Sequence, residues 1–332
     1  MNLHAHVPQQ YLSYLLPYMI LPFGKPRLIY LVSPRGTKTH LAVRKASKGA
    51  WIDILSYDEA LSRRHLKGAT YVFTDMDRLS PPQLRLAAAL YRHLRAQGLS
   101  VLNDPARAPT RAGLLRMLHE AGINDFNAYR VEEQVRPQRW PVFIRAEGSH
   151  TAPLSGLLHA WDEVRLSVDS AICAGFSAAC LIIVEYAAEP VKPGLYRKLA
   201  SFRFGKTEFA HLCVHDDNWL VKYGKIGIAP RELYADELRI VRDNPHAETV
   251  SRAFDIAGME YGRADFGMVN GRVQIYEINS NPTVSFPTEH PAPDRIVSYS
   301  LFRRNYLDAL EAAASRSSSI MLPRPLIASK HL

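Results

Sequence analysis

The 332-residue chain predicts an α/β (α+β) fold, and three observations carry that expectation. Short β-rich apolar runs alternate with helical patterns in roughly the first hundred residues, the signature of a small, open, mostly parallel sheet. Further along, two strand patterns flank Asn270-Gly271, a strong hairpin signal because both turn residues tolerate positive φ. Hydrophobic residues make up 47% of the chain and mean hydropathy is −0.15, so there is apolar surface for a full core, and the length suits about two domains or one large composite one.

In chain order, the apolar stretch 11–23 is broken by Pro17 and Pro22 and has no basic leader. It is therefore expected to be neither a signal peptide nor a membrane span, and cytoplasm is the expected location. Strands are expected at 28–32 and 71–74. A helix follows at 81–97, opening with prolines, carrying Leu84, Ala88 and Tyr91 at helical spacing and stopping at Gly98, with a short strand at 99–102. Thr110 as N-cap and Gly122 as C-cap bound a helix at 110–121. Strands at 141–147 and 179–184 come next, the second ending in Glu185-Tyr186. Two more, 195–204 and 207–214, turn around Gly205-Lys206, and 215–225 is a polar excursion with His215 expected at the surface. Ala247, Val250, Phe254 and Ala257 mark an amphipathic helix at 245–259. The hairpin strands 265–269 and 272–278, a closing helix at 301–314 and an aperiodic, mobile tail complete the pattern.

Cys173, Cys180 and Cys213 form no Cys-x-x-Cys pair and cannot all pair with one another, which fits a reducing compartment and core-filling roles. The net charge of +9 is uneven: ten lysines and arginines between Gly24 and Lys67 face only Asp53, Asp58 and Glu59. That excess suits either an anionic partner or a plain solvated surface. No nucleic-acid-reading motif accompanies it.

The chemistry is concentrated in 261–282, YGRADFGMVNGRVQIYEINSNP. Side chains two apart on a strand share a face, so Glu277 and Asn279 point together, as do Arg263 and Asp265 on the neighbouring strand. Near the open end of the hairpin Asp265 can lie across from Glu277 and Asn279. Two carboxylates and an amide oxygen on one face suit Mg²⁺, a hard cation that takes oxygen ligands and leaves positions for phosphate and water. The alternative from these residues alone is a solvated polar hairpin face.

Strand-Asp, turn, strand-Glu-x-Asn-x-Asn-Pro, after Gly-x-x-Tyr-Gly-Arg, resembles the C-terminal core of ATP-grasp enzymes, the carboxylate-amine ligases that include D-alanine ligase, glutathione synthetase and the ribosomal-protein glutamate ligase. The resemblance covers roughly 103–314, and only the hairpin is specific. It implies an ATP-grasp fold with an N-terminal small open parallel-sheet pre-ATP-grasp domain at 1–105, a small lobe at 106–185, a large lobe at 186–316 and a mobile tail at 317–332.

The resemblance also implies ATP and Mg²⁺, with Mn²⁺ as an alternative, and metal ligands Asp265, Glu277 and Asn279. Phosphate-binding groups fall on Arg145, where the family has lysine, and on Arg107 or Arg111; arginine keeps the charge but is not geometrically equivalent to lysine. Glu147-Gly148-Ser149-His150-Thr151 stands at the lid-loop position or is a plain surface turn. Glu185 and Tyr186 fall at the hinge that meets adenine and ribose. Arg197 and Lys198 stand nearest a family Asp-x-Arg whose aspartate is absent here, and Lys198 is carried over as a nucleotide-binding residue. Lys222 is a candidate for γ-phosphate or substrate carboxylate, or a solvated lysine. Arg263 either supports an acyl phosphate or makes a structural salt bridge to Asp265. Asn281 and Glu289-His290 are positioned to face the acceptor. The implied reaction joins a small-molecule or peptide carboxylate to an amine, releasing ADP and phosphate. Alternatives are a nucleotide-binding regulatory module without ligation and a phosphotransferase. A homodimer is a family-level expectation, and neither a membrane nor a specific nucleic acid is expected as partner.

Overall fold

In the computed structural model, residues 27–48, 51–315 and 318–323 are described. The 11–23 stretch and residues 324–332 lie outside them.

The first layer is set by a strand that no water reaches. Strand β1 (Leu28–Val32) reads LIYLV and is buried at every position, as a strand covered on both faces must be. Helix α1 (Leu41–Ala46), β2 (Ile52–Ser56), α2 (Tyr57–Ser62), the short β3 (His65–Leu66), β4 (Thr70–Phe73), α3 (Pro81–Ala96) and β5 (Val101–Leu102) follow. The sheet order is β2-β1-β4-β5, and its pairs are parallel. Ser56 starts α2 with a capping box to Glu59, and Ser80 with Gln83 does the same for α3 ahead of Pro81.

The second layer is a three-stranded antiparallel sheet of β6 (Ala128–Arg130), β7 (Val142–Ala146) and β8 (Leu181–Glu185), with β8 central, flanked by α4 (Arg111–Glu120) and α5 (Trp161–Cys173). The Thr110 hydroxyl caps α4 by accepting from the Gly113 N–H. Alternation along β8 explains why it is apolar throughout: Leu181 and Ile183 pack with Val164 and Val168 of α5, while Ile182 and Val184 pack with Ala112 and Leu115 of α4.

The third layer is a six-stranded antiparallel sheet. Strands β9 (Pro190–Lys192), β11 (Thr207–Ala210) and β12 (Val214–Asp216) pair with the long β10 (Leu195–Phe204), which pairs in turn with β13 (Tyr261–Val269), and β13 with β14 (Arg272–Asn279). Helices α6 (Arg231–Asp243), α7 (Ala247–Ala257) and α8 (Pro293–Ala313) pack around it.

The first and third layers share one core. Leu28, Tyr30 and Val72 cluster with Phe202, Tyr261, Phe302 and Tyr306, and the Tyr306 hydroxyl lies 3.3 Å from those of both Tyr30 and Tyr261. Buried Asn103 stitches the same joint: its Nδ2 donates to the carbonyls of Phe73 and Tyr261, and its Oδ1 accepts from the N–H groups of Glu260 and Tyr261.

Four expectations need correction. Cys173 and Cys180 are exposed, so of the three cysteines Cys213 alone fills core. The closing helix begins at Pro293, not at 301, and carries Ile296 and Val297 on an exposed side that hides its period. Part of the expected tail is built in: β15 (Ile320–Met321) pairs with β3, and Leu322 is buried. His215 is buried on β12, where burial, with Arg197 next, lowers its pKa to about 4.

Candidate active site

The hairpin has the expected turn, with Asn270 at φ +50° and Gly271 at +73°. A two-residue turn alone would place Asp265 opposite Tyr276. Instead the register shifts between Asp265 and Phe266, Tyr276 bulges out, and Asp265 faces Glu277 while Arg263 faces Asn279. Gly267 makes room for this: a Cβ there would lie 2.1 Å from the Tyr276 hydroxyl, which itself donates to the Ala187 carbonyl at 2.9 Å. The bulge thus gathers the acidic side chains on one face and ties the hairpin to the segment after β8.

Each of these groups is held by a base. Arg263 donates Nε to Asp265 Oδ1 at 2.6 Å and Nη2 to Oδ2 at 3.1 Å, and Lys198 Nζ lies 3.0 Å from Oδ2. Burial works against the Asp265 charge, but Arg263 and Lys198 override it and keep the carboxyl well below its ordinary range. Arg111 pairs with Glu277, and Asn279 Oδ1 accepts from the Asn281 N–H at 2.8 Å. No group of three or more His, Cys, Asp or Glu gathers for a metal among the described residues. The donor set here is two carboxylates and an amide, whose hard oxygens fit Mg²⁺, with Lys198 and Arg111 standing where a divalent cation would compete.

Beside this face lies a cleft of about 1130 Å³, its open mouth included, between the second and third layers. Arg111, Arg145, Tyr186, Lys198, Lys222, Asp265 and Glu277 all line it, together with Glu185. Arg145 Nη2 and Arg111 Nη1 both donate to the Ser149 carbonyl, at 2.9 and 3.4 Å, so two guanidinium groups converge on the Glu147–Thr151 loop. Arg145 Nε is buried with no hydrogen-bond partner. Burial, with the Arg111 charge next, pushes its pKa down to about 10. A buried cation with a free donor and a like charge beside it is suited electrostatically to an anion.

The apolar end of the cleft is formed by Leu115, Phe126, Phe143, Val184, Trp219 and Tyr276. The Trp219 ring sits 5.1 Å from Phe143 and 5.6 Å, edge-on, from Tyr186, bridging the two layers. Phe143 and Tyr276 escaped the sequence reading, because an aromatic on a strand gives no sign of which cavity it enters.

The structure corrects the expectation for Glu185. Its carboxylate is 1% exposed and accepts from the Asn127, Gln138 and Arg139 N–H groups and the Tyr129 hydroxyl. Gln138 and Arg139 fold their loop back onto β8, so the carboxylate of this cleft-lining residue has a structural task. Lys222 is exposed at the mouth, its ammonium 5.1 Å from the Tyr223 ring centre. Arg263 stands behind Asp265, and Asn279 lines an adjoining cavity instead. Arg107 is paired with Asp104 and does not line the cleft. His290 bonds the Ala292 N–H and packs against Tyr234.

No protein-family model and no curated protein matches the chain. Solved structures do. A D-alanine–D-alanine ligase from Bacillus anthracis, complexed with ATP, is 10% identical, with 86% of this chain and 97% of that chain covered at a TM-score of 0.50. A D-alanine–D-alanine ligase from Coxiella burnetii is 13% identical, with 87% and 95% covered at a TM-score of 0.50. At these identities the likeness is one of fold.

Proposed function

The chain has the ATP-grasp fold, and from that fold and its cleft we propose an ATP-dependent ligase that activates a carboxylate as an acyl phosphate and couples it to an amine. The observation that carries the reading is the convergence of Arg111 and Arg145 at one end of a cleft whose other end is apolar, with Asp265 and Glu277 beside them. Adenine fits the slot between Phe143, Val184, Trp219 and Tyr276, and the phosphates fit the basic end.

In the proposed reaction a carboxylate oxygen attacks the γ-phosphorus. The bond from that phosphorus to the bridging oxygen breaks, and ADP leaves with the electron pair. The amine nitrogen then attacks the acyl carbon, the C–N bond forms, the bond to the phosphate oxygen breaks, phosphate leaves with its electron pair, and the nitrogen gives up a proton to solvent. Arg111, Arg145 and Lys198 offset charge on the phosphates and need no reorganisation because the fold already holds them. Arg263 acts through Asp265, fixing its orientation with two hydrogen bonds. Asp265, Glu277 and Asn279 would hold Mg²⁺, which when bound supplies charge neutralisation between β- and γ-phosphates.

The Arg111–Glu277 and Lys198–Asp265 pairs favour a second reading, a nucleotide-binding module in which these bases keep the metal out. Calorimetric binding of a non-hydrolysable ATP analogue, with and without Mg²⁺, on wild type and Glu277→Ala separates the two. The ligase reading expects Mg²⁺ to tighten binding in wild type and not in the variant, and ADP release with a carboxylate and amine pair. Tight binding indifferent to both Mg²⁺ and Glu277→Ala sinks it.

A further inference from the structure

A second cavity opens on the far side of Arg111, His150 and Glu277, the three residues it shares with the nucleotide cleft. It lies where the first layer, the start of α4, the Glu147–Thr151 loop and the end of β14 meet, so the phosphate end of the cleft and this cavity share a wall. Its volume is about 1010 Å³ with the mouth included, room for a molecule of amino-acid size.

The lining is mainly apolar: Leu79, Leu84, Leu114, Met259 and Ile278. The polar groups are unequal in what they have left to give. Glu277 is paired with Arg111, and Glu147 is held by Arg130 and the Ala112 N–H. Asp77 has a single side-chain partner, His150, whose Nε2 lies 2.7 Å from Oδ2. Burial works against its charge, yet His150 keeps its pKa below the ordinary value, so the carboxylate is ionised at neutral pH. An ionised carboxylate at the rim of an apolar pocket complements a cation carrying an apolar side chain, and it repels a carboxylate.

We propose that this cavity is the acceptor site and takes a small primary ammonium with an apolar side chain and no free carboxylate beside it, an amino-acid amide or a peptide N-terminus, with Asp77 as its counter-ion. The inference deepens the ligase reading and rests on it for the word acceptor; the binding itself does not. His150 then stands between nucleotide and amine, joining the Glu147–Thr151 loop to the first layer through Asp77, so both ligands touch the same loop.

The test uses the full chain saturated with a non-hydrolysable ATP analogue and three probes: leucinamide, N-acetyl-leucinamide, which lacks the ammonium, and lysinamide, which carries a second charge. Leucinamide is expected to bind at least tenfold more tightly than either of the others. Asp77→Asn is expected to weaken it tenfold or more while leaving affinity for the ATP analogue unchanged, and Leu84→Glu to reverse the preference towards lysinamide. Equal binding of leucinamide and its acetylated form, no leucinamide binding, or indifference to Asp77→Asn with intact analogue binding overturns the assignment. Failure of the ligase reading looks different: leucinamide binds as expected, yet no carboxylate yields ADP. If ADP forms with polar amines while leucinamide stays unbound, the ligase stands and this cavity falls.

Discussion

Replacing Arg145 by methionine should make the protein more stable and worse at binding nucleotide. The guanidinium is pushed down to about 10 by burial and by Arg111, and its Nε has no partner. At about 1.4 kcal/mol per tenfold change in proton affinity, that environment costs the charged form on the order of 3 kcal/mol in the free protein. Methionine of similar length removes the charge and gives up the hydrogen bond to the Ser149 carbonyl, worth about 1.5–3 kcal/mol as a charge-assisted bond. The balance is a gain of about 0–2 kcal/mol, which for a chain of this size raises Tm by up to about 4 °C. Affinity for the ATP analogue should drop about 10–100-fold, because a phosphate loses one charge-assisted donor. Scanning calorimetry and isothermal titration on wild type, Arg145→Met and Arg145→Lys read both quantities, and lysine should recover part of the affinity. If Arg145→Met lowers Tm and leaves analogue affinity intact, Arg145 is a structural residue and the anion site has been misassigned.

Between pH 7 and 5 two sets of buried groups pull in opposite directions. Burial raises Glu237 to about 7 against the opposing Arg295, so its contribution is full below an unfolded value of ~4.3 and is lost as pH rises through 7. Burial lowers His40, His211 and His215 to about 3, 3 and 4, so their contribution is full above an unfolded value of ~6.5 and is lost as pH falls. From pH 7 to 5 each histidine costs at most about 2 kcal/mol while Glu237 returns about 2, so net stability should fall by several kcal/mol. Urea unfolding should show a steeper fall in Glu237→Gln; an unchanged slope means that Glu237 stays ionised against Arg295. Asn103→Ala strands two carbonyls and two N–H groups at the joint between layers and should cost about 3–5 kcal/mol; a loss under ~1 kcal/mol in the same assay denies that joint its role. Gly267→Ala places a methyl against Tyr276 and should weaken analogue binding about tenfold, with Tyr276→Phe in the same chain restoring part of it. No loss in titration of the Gly267 variant would show that the bulge tolerates displacement.

Local chemistry made part of this protein legible in its sequence. Thr110 and Gly122 bracket α4 because caps satisfy backbone groups that the helix cannot. Asn270-Gly271 marks the hairpin because two successive left-handed residues need those side chains. Helices α5 and α6 escaped for different reasons. In α5 the apolar stripe of Trp161, Val164, Val168 and Ala171 is interrupted by Leu166 on the exposed face, and in α6 the buried stripe contains Glu237. Glu185, placed by resemblance at the hinge, was obscured in the opposite way: the loop that returns the Gln138 and Arg139 N–H groups to its carboxylate, beside that of Asn127, is set by tertiary contact.

The site turns on one residue that no period announces. Counting from Asn270-Gly271 pairs Asp265 with Tyr276, which would leave Glu277 and Asn279 on the opposite face. A single bulged tyrosine reverses that parity for the last three residues of β14, bringing Glu277 and Asn279 onto the Asp265 face, while residues nearer the turn keep the ordinary pairing. The bulge survives because Gly267 leaves it space and the Ala187 carbonyl gives its hydroxyl a partner. The acidic face therefore depends on the segment leaving β8, which also borders the apolar end of the cleft. Nucleotide seated against Tyr276 and cation held by Glu277 would press on the same bulge from two sides. In Tyr276→Ala the two affinities should consequently lose their coupling: Mg²⁺ should no longer tighten binding of the ATP analogue, even where each ligand still binds alone.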